Sequence, residues 1–425
     1  MVRNRRPRAG IAACCLLLLL LPAVATSQWH DRGYVTTSGD RVHVIDPSGG
    51  VRSTLLAPSH ADIADLIMDA DNCQVLLVLR DRQRIVRFDP VTLAITGTLH
   101  EGAPLSSPVG IAIDHNGHHY IADATQQAVY RLTPRGIEKV LSSTTHLDWP
   151  EGGVRIDPDT GDLLVLNTSV TSDRLYRILR NGSGIEPVGA GFQARYGFDV
   201  HLPSWDIFAT SCCQPFVSPI RILRLGQNAA EDFFVQPPGL DGAYAVRCDR
   251  SSARDQRLVV APMFDQAGIW FIDMTSRAVT SLQRLDRPQL ALEFVHGRNV
   301  QPVAAGSGRW DIRLSFPGEA RNSYFVLLSV NGVRPGLLLG DGRKIQLVLD
   351  VVARATLTLE FSSIFWNNHG VLDGAGEAAA HLDVRPLGPN VRGLRLWAQA
   401  LTFHPAAPLG IRTIAEPVVL VVEDS

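Results

Sequence analysis

Polar and apolar residues alternate in short bursts along most of the chain, and the bursts recur at a nearly fixed distance. The stretch SPVGIAIDHNGHHYIADATQQAVYRLTPRG, residues 107–136, holds an apolar strand that stops at a polar turn, then a second strand, a polar loop and a third strand. The first of these strands ends at Asp114. Comparable segments, DLIMD, GVRID, GFDVH and AYAVR, end at Asp69, Asp157, His201 and Arg247, so the successive spacings are 45, 43, 44 and 46 residues. The third strand has copies at Ile45, Phe88, Leu132, Ile178, Ile222 and Ile272, spaced 43, 44, 46, 44 and 50 apart. Four short strands per period, with no helical periodicity between them, predict the blades of a β-propeller. Six periods fit into residues 28–296, with Ile113, Ile156, Val200 and Val246 on equivalent innermost strands. The first period lacks a copy of that strand, which predicts a ring closed by strands from both of its ends, leaving no open sheet edge.

After the ring the period is lost but the alternation continues. RWDIRLSF puts Trp310, Ile312, Leu314 and Phe316 on one face; KIQLVLD, TLTLEF, AAHLDVRP, GLRLWAQALTF and PVVLVVE read as further strands between turn-rich runs. The fold class is therefore all-β, a six-bladed β-propeller followed by an antiparallel β-sandwich at 309–425, with a linker at 297–308.

The first residues are of another kind. MVRNRRPRAG is basic, IAACCLLLLLLP is an apolar run too short to span a bilayer comfortably, and Ala23-Val24-Ala25 has the form of a cleavage site. Residues 1–25 read as a signal peptide, and the chain is expected to be secreted, periplasmic or on the cell surface. No other apolar run is long enough to span a membrane as a helix, and a monomer is expected. Beyond the leader stand Cys73, Cys212, Cys213 and Cys248, without the spacing of a zinc or redox site. The blade assignment keeps Cys212 and Cys213 far from Cys73 and Cys248, which leaves a vicinal bridge or free thiols. With 40 basic and 42 acidic residues interspersed, the chain has no basic footprint for nucleic acid.

In residues 107–132, Pro108, Gly110, Asp114, Gly117, Tyr120, Asp123 and the strand Val129 to Leu132 resemble an NHL repeat. Residues 40–290 are similar, more loosely, to six-bladed propellers of the senescence marker protein and gluconolactonase type. The segment GLRLWAQALTFHPAAPLGIRTIAEPVVLVVED resembles the C-terminal domain of secreted planctomycete-type proteins. These likenesses imply the fold; the lactonase type would add a metal-dependent hydrolase or lyase activity. That type carries an early glutamate ligand, whereas here no Glu stands between the leader and Glu101.

In a propeller, the loops leading into the innermost strands and those joining the second and third strands share one mouth of the central channel, where ligands bind. They bring Trp149, Glu151, Arg195, Tyr196 and Tyr244 as candidate ligand-binding residues, with aromatic faces for sugars or apolar groups and Arg195 for an anion. Asp123, Asn167 and Asp265 are oxygen donors that could hold a Ca²⁺ ion, or satisfy turns. His115, His118 and His119 lie on a strand turn, where alternation puts His118 and His119 on opposite faces, and no G-x-S-x-G elbow or Cys/His pair marks a nucleophile. A binding or scaffold protein for a carbohydrate, peptide or protein ligand is the first reading; a metal-dependent lactonase-like enzyme is the alternative.

Overall fold

The computed structural model describes residues 33–422 apart from short internal stretches, the longest being 212–219, 234–242 and 249–256. The leader, Cys73, Cys212, Cys213 and Asp265 lie outside the described residues.

Six four-stranded antiparallel sheets occupy residues 33–295. Their innermost strands touch in ring order: Ile63–Asp69 meets Pro108–Ile113, which meets Val154–Ile156, and Ala194–Val200 meets Ala243–Cys248, which meets Ala291–Val295. Ala291–Val295 then packs on Ile63–Asp69, and Leu163–Ser169 bridges to Ala194–Val200, completing the circle. We number the blades from the N-terminus. In blade 1, Ala291–Val295 from the far end of the ring is innermost and pairs with Gly33–Ser38. The closure predicted from the missing strand is thus made, and Thr36 Oγ1 donates to Ala291 O at 2.7 Å across it. Ile113, Ile156 and Val200 each oppose the first residue of the second strand of their blade; Val246 sits further along an equivalent strand, opposite Val260.

Burial follows position in the blade. The second strand of blade 2, Gln74–Leu79, is buried along nearly its whole length, because neighbouring blades cover both of its faces. The outermost strand, Ala94–Glu101, alternates half-buried with exposed residues.

The repeated aspartate and arginine have a structural task. Buried Asp69 closes the innermost strand of blade 2 and accepts from Arg87 of the third strand at 3.1 Å; Asp157 and Arg177 do the same in blade 4 at 3.3 Å. In blade 3, Asp114 accepts instead from the Tyr120 hydroxyl at 3.3 Å. The turn after it uses Gly117, at φ +76°, which favours glycine.

The C-terminal residues form two facing antiparallel sheets. One contains Val300–Gly306, Arg309–Ser315, Glu377–Asp383 and Phe365–Trp366; the other contains His369–Val371, Ser323–Ser329, Arg395–Phe403 and Ile411–Ile414, with Val418–Val421 also on Arg395–Phe403. Trp310, Ile312 and Leu314 of the first meet Val326, Leu328, Ala398 and Ala400 of the second in one core. Three expectations differ from what is found. Val300–Gly306, inside the stretch read as a linker, is a full strand paired with Arg309–Ser315. Of TLTLEF, read as a strand, Thr356 and Leu357 close the helix Val351–Leu357, and Leu359, Glu360 and Phe361 lie outside the described residues. Asp350 caps that helix, its carboxylate accepting from Ala353 N at 2.8 Å, which starts the helix ahead of the alternating run. Likewise only Lys344–Ile345 of KIQLVLD is paired as a strand.

The second sheet is buried on both faces. Leu327, Trp397, Leu401 and Ile414 turn away from its partner sheet and join Phe198, Trp205, Ile207 and Leu223 of blade 5 in a single apolar cluster that includes Leu164 and Leu175 of blade 4. Arg395 Nη1 donates to Thr160 O of blade 4 at 2.9 Å beside it.

Candidate functional site

The innermost strands bring buried charges together across the ring. Asp65, on the innermost strand of blade 2, is 6% exposed, and its carboxylate faces Arg155 of blade 4 and Arg247 of blade 6, each at 3.2 Å. It also accepts the backbone N–H of Leu66 at 2.9 Å and of Ile111, in blade 3, at 3.2 Å. One carboxylate thereby ties four blades. The guanidiniums are satisfied further by backbone carbonyls, Arg155 by Val154 at 2.7 Å and Arg247 by Val246 at 3.0 Å. Asp199 of blade 5 accepts from Val200 N and Cys248 N, both at 2.9 Å. Buried charges are tolerated when paired and hydrogen-bonded in this way. Cys248 is itself buried, at the end of its strand.

Above this plug lies the mouth. Trp149 stands on the loop leading into blade 4 with 48% of its surface exposed. Its backbone is held: the N–H donates to Asn167 Oδ1 at 2.8 Å, and the carbonyl accepts from Glu151 N at 2.9 Å and Thr168 N at 2.8 Å. The Asn167 amide also donates to Asp148 at 2.6 Å. Glu151 accepts from Arg80 of blade 2 at 3.2 Å, and Arg80 lies 3.7 Å from Asp62 on the loop before that blade's innermost strand. An ion pair therefore joins blade 2 to the loop of blade 4 that carries Trp149. Beneath the loop, Tyr176 packs edge-on against His146, and burial pushes its phenol pKa up, so it stays protonated.

The other sequence-predicted residues fall as follows. Arg195 and Tyr196 belong to the innermost strand Ala194–Val200, but their side chains lie outside the described residues. Tyr244 is half-buried at the irregularity between Ala243 and Ala245. Asp123 is fully buried and accepts from Ser106 N at 2.7 Å, Ser107 N at 3.0 Å and Gln126 N at 2.9 Å. Asp123 and Asn167 thus anchor the loops leading into blades 3 and 4, and a calcium ion on these oxygens would displace the bonds that hold those loops. Among the described residues, no group of three His, Cys, Asp or Glu is placed to hold a metal ion. A cleft of about 70 Å³ opens between blades 4 and 5 near Asp157 and Trp205; its Arg177 pairs with Asp157 and its Arg224 with Glu231 at 2.7 Å.

Sequence reasoning missed the plug. The signal was present in the repeat itself, because Asp65, Arg155, Asp199 and Arg247 are charged residues inside segments otherwise apolar enough to be innermost strands.

No protein-family model matches the chain, and no curated protein does. Solved structures do. A chain of a nidogen/laminin complex is matched over 62% of this chain and 98% of its own length, at 14% identity and a TM-score of 0.50. A catalytically inactive virginiamycin B lyase from Staphylococcus aureus with quinupristin is matched over 67% and 92%, at 13% identity and a TM-score of 0.43. At such identities the likeness is one of fold, and the fold is a β-propeller.

Proposed function

We propose that this chain is an exported, non-catalytic recognition protein whose propeller mouth binds a protein partner. The observation that carries the reading is Trp149, a large aromatic left 48% exposed on a backbone clamped by hydrogen bonds. An exposed indole loses apolar contact with its own fold, while a rigid backbone removes most of the ordering entropy that binding would otherwise cost. Tryptophan presented this way is typical of the anchor residues that dominate protein interfaces. The match to a chain of a nidogen/laminin complex is compatible with this use of the fold.

The test is a screen of the immobilised full chain against an array of purified extracellular proteins, with a glycan array in parallel. Trp149→Ala should weaken protein hits about tenfold or more, the scale of an interface anchor, with the melting temperature unchanged because the ring is not held by this side chain. Protein hits indifferent to the substitution, or Trp149-dependent hits on glycans alone, would overturn the reading.

A further inference from the structure

Resting on that reading of the mouth, we propose that the partner engages it through a basic side chain, an arginine or lysine laid over the Trp149 indole. The indole face attracts cations electrostatically, most strongly among the aromatic side chains. Trp149 is 48% exposed, and no cation of the described residues lies over its ring, whereas Arg257 lies over Phe271 at 3.8 Å and Arg277 over Phe233 at 3.5 Å. The charge held on the same loop favours the same ligand. Glu151, two residues on, and Asp62 share the single guanidinium of Arg80, at 3.2 and 3.7 Å. Among the described side chains of this ion-paired group, two carboxylates face one cation, a balance of one negative charge. Asp62 is 43% exposed, within reach of a partner, while Glu151 at 16% is held inward by Arg80. The rim thus already pairs carboxylates from two blades with one guanidinium, and the chemistry that would complete it is a second cation. An acidic partner would meet repulsion from Asp62, and a neutral glycan would leave the charge unanswered.

The test uses the full chain and a phage-displayed library of random dodecapeptides, followed by synthesis of the best binder and measurement of its affinity by fluorescence anisotropy. Selected peptides should be enriched in arginine and lysine. Replacing the critical arginine by citrulline, which keeps the shape and removes the charge, should weaken binding about tenfold. Asp62→Asn should weaken it severalfold and flatten its salt dependence, Trp149→Ala should match the citrulline loss, and Trp149→Phe should retain part of the affinity. Circular dichroism melts of each variant show that folding is kept. Trp149-dependent peptides without basic residues, or a citrulline peptide within twofold of the parent, would overturn this inference and leave the protein-binding reading standing. A library yielding no Trp149-dependent peptide would remove the support for both.

Discussion

Asp65 shows how one side chain can have consequences beyond its own blade. A carboxylate that accepts from Leu66 and Ile111 and pairs with Arg155 and Arg247 cannot be neutralised without leaving two buried guanidiniums facing each other. Removing one partner of such a buried set is strongly destabilising, even where the intact set adds little over an apolar core. Asp65→Asn should therefore lower the stability of the ring by about 3–5 kcal/mol, read as a shift of the urea midpoint. An unchanged midpoint would mean that water reaches the plug. Trp149 is the opposite case, a large side chain whose loss the fold should not notice.

Among elements, the innermost strands are set apart by how closely they approach one another. Gly110 on Pro108–Ile113 faces Gly153 so tightly that a Cβ there would lie 2.7 Å from Gly153 Cα and 2.9 Å from Val154 N. Both are backbone atoms, so neither can rotate away. Gly110→Ala should destabilise by about 1–3 kcal/mol, the usual range for overpacking, with a lower urea midpoint and an unchanged m-value. Wild-type behaviour would show that blades 3 and 4 can separate by a few tenths of an ångström. The Pro-x-Gly of the repeat therefore has a packing reason at this point. The arginine of the third strand has another, since in blades 2 and 4 it secures the aspartate at the end of the first.

At the scale of the whole molecule, the C-terminal sheets are part of the ring's own packing. Trp397 and Leu401 belong to the apolar cluster that contains Trp205, Ile207 and Leu223. A chain ending at residue 296 would expose those propeller residues, each large side chain contributing about 1.5–3 kcal/mol when fully buried. The truncated chain should bind a hydrophobic dye and associate in size-exclusion chromatography. A monodisperse truncation with the parent's melting temperature would contradict this. The docking also bears on function, because the clustered sheet lies against blades 4 and 5 at the turn that holds Thr160, at the other end of blade 4's strands from the Trp149 loop.

The sequence by itself determined the ring: a period of 43–46 residues between innermost-strand copies, with an apolar strand leading each period, has few other ways to bury its surfaces, and the missing first strand dictated how the circle closes. It also put Trp149 and Glu151 on a loop leading into an innermost strand, since loops between strands are placed by the strands. What it could not decide depends on which blades end up opposite one another. Asp65, Arg155 and Arg247 are 90 and 182 positions apart at their two contacts, and only closure of the ring brings them to one point. The same holds for Asp123 and Asn167, whose side chains suit a cation or a turn equally well until the backbone N–H groups around them are in place. Alternation reports that a strand has a buried face but not what covers it, so GLRLWAQALTF was legible as a strand while its second covered face came from the propeller.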